Sequence, residues 1–210
     1  MAFKLQDCGS NVKRRSNRRA NLAIWLTSAL LIWAPSLSAA AEPVEKVMTY
    51  TITGETPLEL YRSIGSSGPN GAIAQTQYKL TWQRLFDERG GDCYLVHARP
   101  KLTITYLYPK PAPALTGEAK RRWDVFIAGV KRHEEQHGVM IREMTKDTQA
   151  SFAGLMAKND PTCRKIKAKV TSLINAAADT HKANSRRFDE AELGPGGPVH
   201  GLVRTFVGIK

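Results

Sequence analysis

Cysteine is scarce in this chain. Three residues, Cys8, Cys93 and Cys163, serve 210 positions, too few for a disulfide-built scaffold. The apolar content of 42% is enough for an ordinary core, so neither a metal nor a cross-link is needed merely to hold the chain together. Acidic residues are in the minority, 19 against 31 lysines and arginines, giving a net charge of +12. No internal repeat and no low-complexity tract appears, which excludes solenoids and compositional linkers. Also missing is any stripe of Arg or Lys interleaved with aromatics. Without it the positive charge does not point to nucleic acid, although it could attract acidic surfaces.

Much of the charge lies in one place. Residues 1–41 hold six cations, among them Arg14, Arg15, Arg18 and Arg19, against Asp7 alone. An apolar run from Leu22 to Ala34 follows, then Pro35 and the small residues Ser38-Ala39-Ala40-Ala41. This order of basic, apolar and small segments is that of an export signal with an A-x-A-type cleavage site. Residues 1–41 are therefore expected to be a signal peptide, and 42–210 a single domain, exported to the periplasm or the exterior. Left uncleaved, the uncharged stretch Leu22–Ala41, about 20 residues, is just long enough to anchor the chain in a membrane. Cys8 falls in the signal, so the exported part has one pairing available, Cys93 with Cys163, and an oxidising compartment favours that disulfide.

The exported part divides into a strand-rich first half and a helical second half. Val47–Thr53 alternates as a half-buried strand. Thr56-Pro57-Leu58-Glu59 is a capping box with proline at the first helical position, so a short helix should run to about Gly65. Tyr78, Leu80 and Trp82 mark a second strand, Cys93, Leu95 and His97 a third, and Leu102, Ile104, Tyr106 and Tyr108 a fourth beyond Pro100. Thr116 should cap a long helix reaching about Lys158, and Thr162 a second one ending near Ser185. Val199–Val207 reads as a last strand. The sum is an α+β fold, a small, mostly antiparallel sheet packed on two long helices.

The chemistry concentrates in His133-Glu134-Glu135-Gln136-His137, an H-E-x-x-H pattern inside the first long helix. Residues at i and i+4 stand one above the other, so both imidazoles can reach one ion. Trp123, Phe126, Ile127, Val130, Ile141 and Met144 form the apolar stripe of this helix, and His133, Glu134 and His137 continue it at spacings of three and four. The pair thus faces the interior, where an unpaired carboxylate would be costly and a cation would relieve it. The pattern points to Zn2+, held by His133 and His137, with Glu134 as general base in a zincin-like active-site helix.

A catalytic zinc has a third protein ligand. The metzincin pattern would place a histidine where Glu143 stands. His200, in a Gly-Pro-rich stretch that could fold back, ranks first, Asp189 second and Glu143 third. His97 reads as strand packing, and His181 as a cap on the second helix's C-terminus. Tyr106, Tyr108 and Arg187 are candidates for steadying the oxyanion, with nothing to choose between them.

On these residues the chain resembles a bacterial domain family of formally unknown function, described as predicted secreted zinc-dependent proteases. The resemblance spans about 46–203. It rests on Tyr50 with Gly54, the Gly68-Pro69 pair, Trp82, the Cys93 strand leading to Pro109, Trp123 and Phe126 before the H-E-x-x-H, and a late segment. In the family that segment is an aromatic, Asp, two residues, Thr, one residue and His-Gly. Here it begins Phe188-Asp189 and ends His200-Gly201, but Leu193–Val199 intervenes and the Thr is absent. The resemblance implies that Asp189 and His200 both belong to the site, one as ligand. The expected function is a secreted zinc metallopeptidase acting on a peptide or protein substrate through a metal-activated water. The alternative is a non-catalytic exported module that binds envelope polymers and has a structural or vestigial zinc site.

Overall fold

The computed structural model describes residues 42–112 and 114–209. The expected signal peptide lies outside them. The elements run β1 (Val44–Ile52), α1 (Pro57–Ser67), β2 (Gln75–Arg89), β3 (Asp92–Pro111), α2 (Gly117–Ala150), β4 (Met156–Ala157), α3 (Arg164–Leu193) and α4 (Pro198–Val207). The fold is α+β, as the sequence leads one to expect. Among the described residues no helix is long and apolar enough to cross a membrane.

Strand β3 is the spine of the sheet. It pairs antiparallel with β2 along its length, parallel with β1 over its second half, and antiparallel with β4 at Cys93 and Tyr94. The expected third and fourth strands are thus one, and Pro100 does not divide them. At Pro100, opposite Trp82, only β2 flanks β3. A residue without an N–H is tolerated where one side of the ladder is open. A bulge between Leu85 and Phe86 shifts the register. Ala98 takes the inward position and His97 is exposed, so His97 is not the packing residue that simple alternation suggests.

The helices depart from expectation at their ends. The capping box of α1 forms as read, Glu59 N–H donating to Thr56 Oγ1 at 3.3 Å and Thr56 N–H to Glu59 Oε2 at 3.1 Å. Gly54 before it has φ +137°, and a Cβ there would meet Glu59 Cβ at 2.7 Å, so only glycine fits. Helix α2 stops at Ala150, short of Lys158, because Phe152 and Leu155 turn into the second core and the chain pairs with β3 as β4. Helix α3 is not capped by Thr162. Its starting N–H of Ile166 donates to Asp160 Oδ2 at 3.0 Å. Burial works against the Asp160 carboxylate, but the amides of Ile166, Lys165 and Arg164 outweigh it and hold its pKa below the usual value. The helix then runs past Ser185 to Leu193. The expected last strand is helix α4. Pro198 stands at its first position, and Val199, Leu202, Val203 and Phe206 carry a helical spacing, not an alternating one.

Two cores result. The larger joins Ile52, Leu60, Ile64, Ile104, Tyr106, Phe126, Ile141 and Phe206, with Phe126 and Phe206 stacked at 4.4 Å. The smaller gathers Leu95, Phe152, Ile166 and Val170 around a disulfide, Cys93–Cys163, which fastens β3 to the start of α3. The expected pairing is the one observed.

Candidate metal centre

The H-E-x-x-H segment lies mid-way along α2 and faces inward. Trp123, Phe126, Val130, His133, Glu134, His137 and Ile141 are all buried, so the stripe read from the sequence is the packed face. Glu134 is only 6% exposed. Its Oε2 accepts from Thr76 Oγ1 at 2.6 Å, which fixes one carboxylate oxygen from the start of β2 and meets part of the cost of burying a charge.

Helix α3 completes the site. Asp189 Oδ1 is 2.8 Å from His137 Nε2 and 3.3 Å from His133 Nε2, and the two Nε2 atoms are 3.2 Å apart. Three ligand atoms thus converge in a near-equilateral triangle, the one grouping of this kind among the described residues. Ligands at 2.0–2.1 Å from a tetrahedral zinc stand about 3.3 Å from one another, so the spacing and the N,N,O donor set both fit such an ion. Phe188 holds the rings, lying parallel to His133 at 4.8 Å and edge-on to His137 at 5.2 Å. His137 Nδ1 has Ser185 Oγ at 3.0 Å. His133 Nδ1 is buried with no hydrogen-bond partner. Burial disfavours the charged ring of His133 and lowers its pKa, a push that the nearby Glu134 opposes and the neighbouring His137 reinforces. The neutral ring is the form that ligates metal.

The site opens into a cleft of about 540 Å³ lined by Tyr61, Ile73, Thr76, Val130, Leu193 and Val199 beside the convergent residues. Tyr50 on β1 braces its rim, donating to the Ile73 carbonyl at 2.6 Å, and burial raises the Tyr50 pKa to about 12.

Of the expected site residues, His133, Glu134, His137 and Asp189 come together. His200 does not. It sits in the first turn of α4, where its Nδ1 accepts from the Gly196 N–H at 3.3 Å. The segment does fold back, but it delivers Val199 to the cleft. Glu143 is exposed further along α2. His181 is mid-helix, edge-on to Tyr78 at 5.5 Å, because α3 runs on beyond it. None of the oxyanion candidates lines the cleft. Tyr106 and Tyr108 stack on each other at 6.2 Å inside the sheet–helix core, and Arg187 is exposed against Asn184. Thr76, Ser185 and Glu192 carry no motif. For the last two, the signal is their spacing around Asp189, readable once α3 is known to reach Leu193.

Two histidines and an aspartate meeting between the long helices of an α+β domain define a candidate metal-binding protein. The chain belongs to the family described as bacterial protein of unknown function (DUF922), whose model matches residues 47–197. No curated protein and no solved structure matches it.

Proposed function

We propose that this domain is an exported zinc-dependent peptidase of the periplasm or cell exterior, with His133, His137 and Asp189 as ligands and Glu134 as general base. The reading rests on the convergence of Asp189 from α3 onto the two Nε2 atoms. Without a cation, His137 Nε2 faces both another imidazole nitrogen and a carboxylate. The Cys93–Cys163 disulfide supports an oxidising compartment.

Zinc held there would supply a Lewis acid for a scissile carbonyl and lower the pKa of a water. The chain's own residues divide the remaining work. Thr76 holds one oxygen of Glu134, which orients the carboxylate. Glu134 takes the proton of the attacking water and returns it to the departing amine. The apolar wall of Ile73, Val130, Leu193 and Val199 limits water around the reacting groups and receives the side chains beside the scissile bond. Asp189 contributes a negative ligand, which tightens the hold on a dication.

The test is zinc quantification on the purified chain, together with cleavage of a peptide library read by mass spectrometry. Glu134→Gln should retain zinc and lose cleavage. A chain with no zinc and no capacity to take it up ends this reading.

A further inference from the structure

The last turns of α3 bring more than one ligand. Ser185, Phe188, Asp189 and Glu192 stand at i, i+3, i+4 and i+7, a single helical face, and that face looks onto His133 and His137. Ser185 Oγ is 3.0 Å from His137 Nδ1. Glu192 Oε2 is 3.9 Å from His133 Nδ1, beyond hydrogen-bonding range. Yet that nitrogen is buried and has no partner among the described residues.

An imidazole that ligates through Nε2 carries its proton on Nδ1 and needs an acceptor there. A buried N–H left without one costs free energy in every metal-loaded molecule. Asp189 makes its nearest approach to His133 at Nε2, and Glu192 makes its own at Nδ1. Glu192 is half-buried at the surface end of the helix, and a change within its staggered rotamers covers the missing ångström. We propose, on the basis of the zinc reading above, that Glu192 and Ser185 are positioning residues of the metal centre. Glu192 accepts from His133 Nδ1 and Ser185 accepts from His137 Nδ1 when the ion is bound. Each fixes a tautomer and a ring orientation, and the negative charge of Glu192 makes His133 the more basic ligand.

The test is zinc affinity, measured on the purified chain by competition with a chromophoric chelator. Glu192→Ala and Ser185→Ala should each weaken zinc by about 10- to 100-fold. Glu192→Gln, whose amide oxygen still accepts, should recover most of the loss, and Glu190→Gln, exposed on the opposite face, should bind like the parent. Circular dichroism of the metal-free variants should be unchanged, and the visible spectrum of the cobalt-substituted chain should shift in Glu192→Ala. Affinities and spectra equal to the parent's in Glu192→Ala and Ser185→Ala would overturn this inference alone. A parent chain that takes up no zinc would overturn it together with the peptidase reading.

Discussion

Asp189 Oδ1 lies 2.8 Å from His137 Nε2, across 52 residues of sequence and between two different helices. His200, eleven positions further on, points its ring back at its own loop. Asp189→Ala should therefore lower zinc from about one ion per chain to a small fraction of that, as should His133→Ala and His137→Ala. His200→Ala should leave it unchanged. Metal content after dialysis decides it, and zinc loss in His200→Ala with retention in Asp189→Ala would reverse the assignment.

Glu134 and Thr76 should separate chemistry from metal binding. Glu134→Gln is expected to lower turnover by about 100- to 10,000-fold at full zinc content. Thr76→Val removes the donor at 2.6 Å without touching a ligand. Its expected cost is smaller, roughly 10- to 100-fold, the effect of losing one hydrogen bond to a charged group. Rates measured at matched zinc occupancy provide the check.

The metal-free chain should weaken in mild acid. Burial, as the leading cause, lowers the pKa of both His133 and His181 from the ordinary value of 6.5. The unfolded chain then binds protons at pH values where the folded chain does not. Stability is thus full above about pH 6.5 and falls as the pH drops below it towards the lowered folded values. Denaturant midpoints in the presence of a chelator, taken from pH 8 to 5, should show that decline, and His181→Gln should make it shallower. A midpoint independent of pH would contradict the expectation.

Two glycines in helices should respond oppositely to alanine. At Gly138 a Cβ would lie 2.0 Å from the Tyr106 hydroxyl and 3.0 Å from its ring carbon, against a tyrosine fixed in the core. Gly138→Ala should destabilise by about 1–3 kcal/mol. At Gly65 nothing lies within 4 Å, and Gly65→Ala should stabilise by about 0.5–1 kcal/mol. Thermal or denaturant unfolding of the two variants gives the signs directly.

Opening the disulfide removes a constraint between residues 70 apart in sequence. The chain-entropy relation gives about 4 kcal/mol for a loop of that length. A paired Cys93→Ala, Cys163→Ala variant should unfold at correspondingly lower denaturant with its helix content retained. Equal midpoints would show that the cross-link is dispensable.

The long middle of α2 was legible because its buried face repeats every three to four residues from Trp123 to Ile141, and the two histidines and Glu134 fall into that repeat. The disulfide was legible by elimination, Cys93 and Cys163 being the two cysteines beyond the expected signal peptide. The third element of the site was harder to read. Asp189 and His200 were both in view, but choosing between them depended on where α3 ends. No proline or glycine stops that helix before Gly194, and a stop near Ser185 puts Asp189 beyond its end. The strands erred for a related reason. Pro100 reads locally as a break, and only the pairing of β1 and β4 elsewhere on β3 explains why it is not one. Val199–Val207 is apolar enough for a strand, and only the three-and-four spacing of Val199, Leu202 and Phe206 marks it as α4.

Helix α3 is fastened at its beginning by Cys163 to β3 and meets α2 near its end through Asp189. An ion at that end would make it a beam pinned at both supports, thirty residues long. Without one, Phe188 packed on both imidazoles and Asp189 beside His137 still hold that end, a lighter pin than a cation would make. Leu193, the last residue of the helix, lines the cleft, so the contacts that gather the ligands also set the wall beside them.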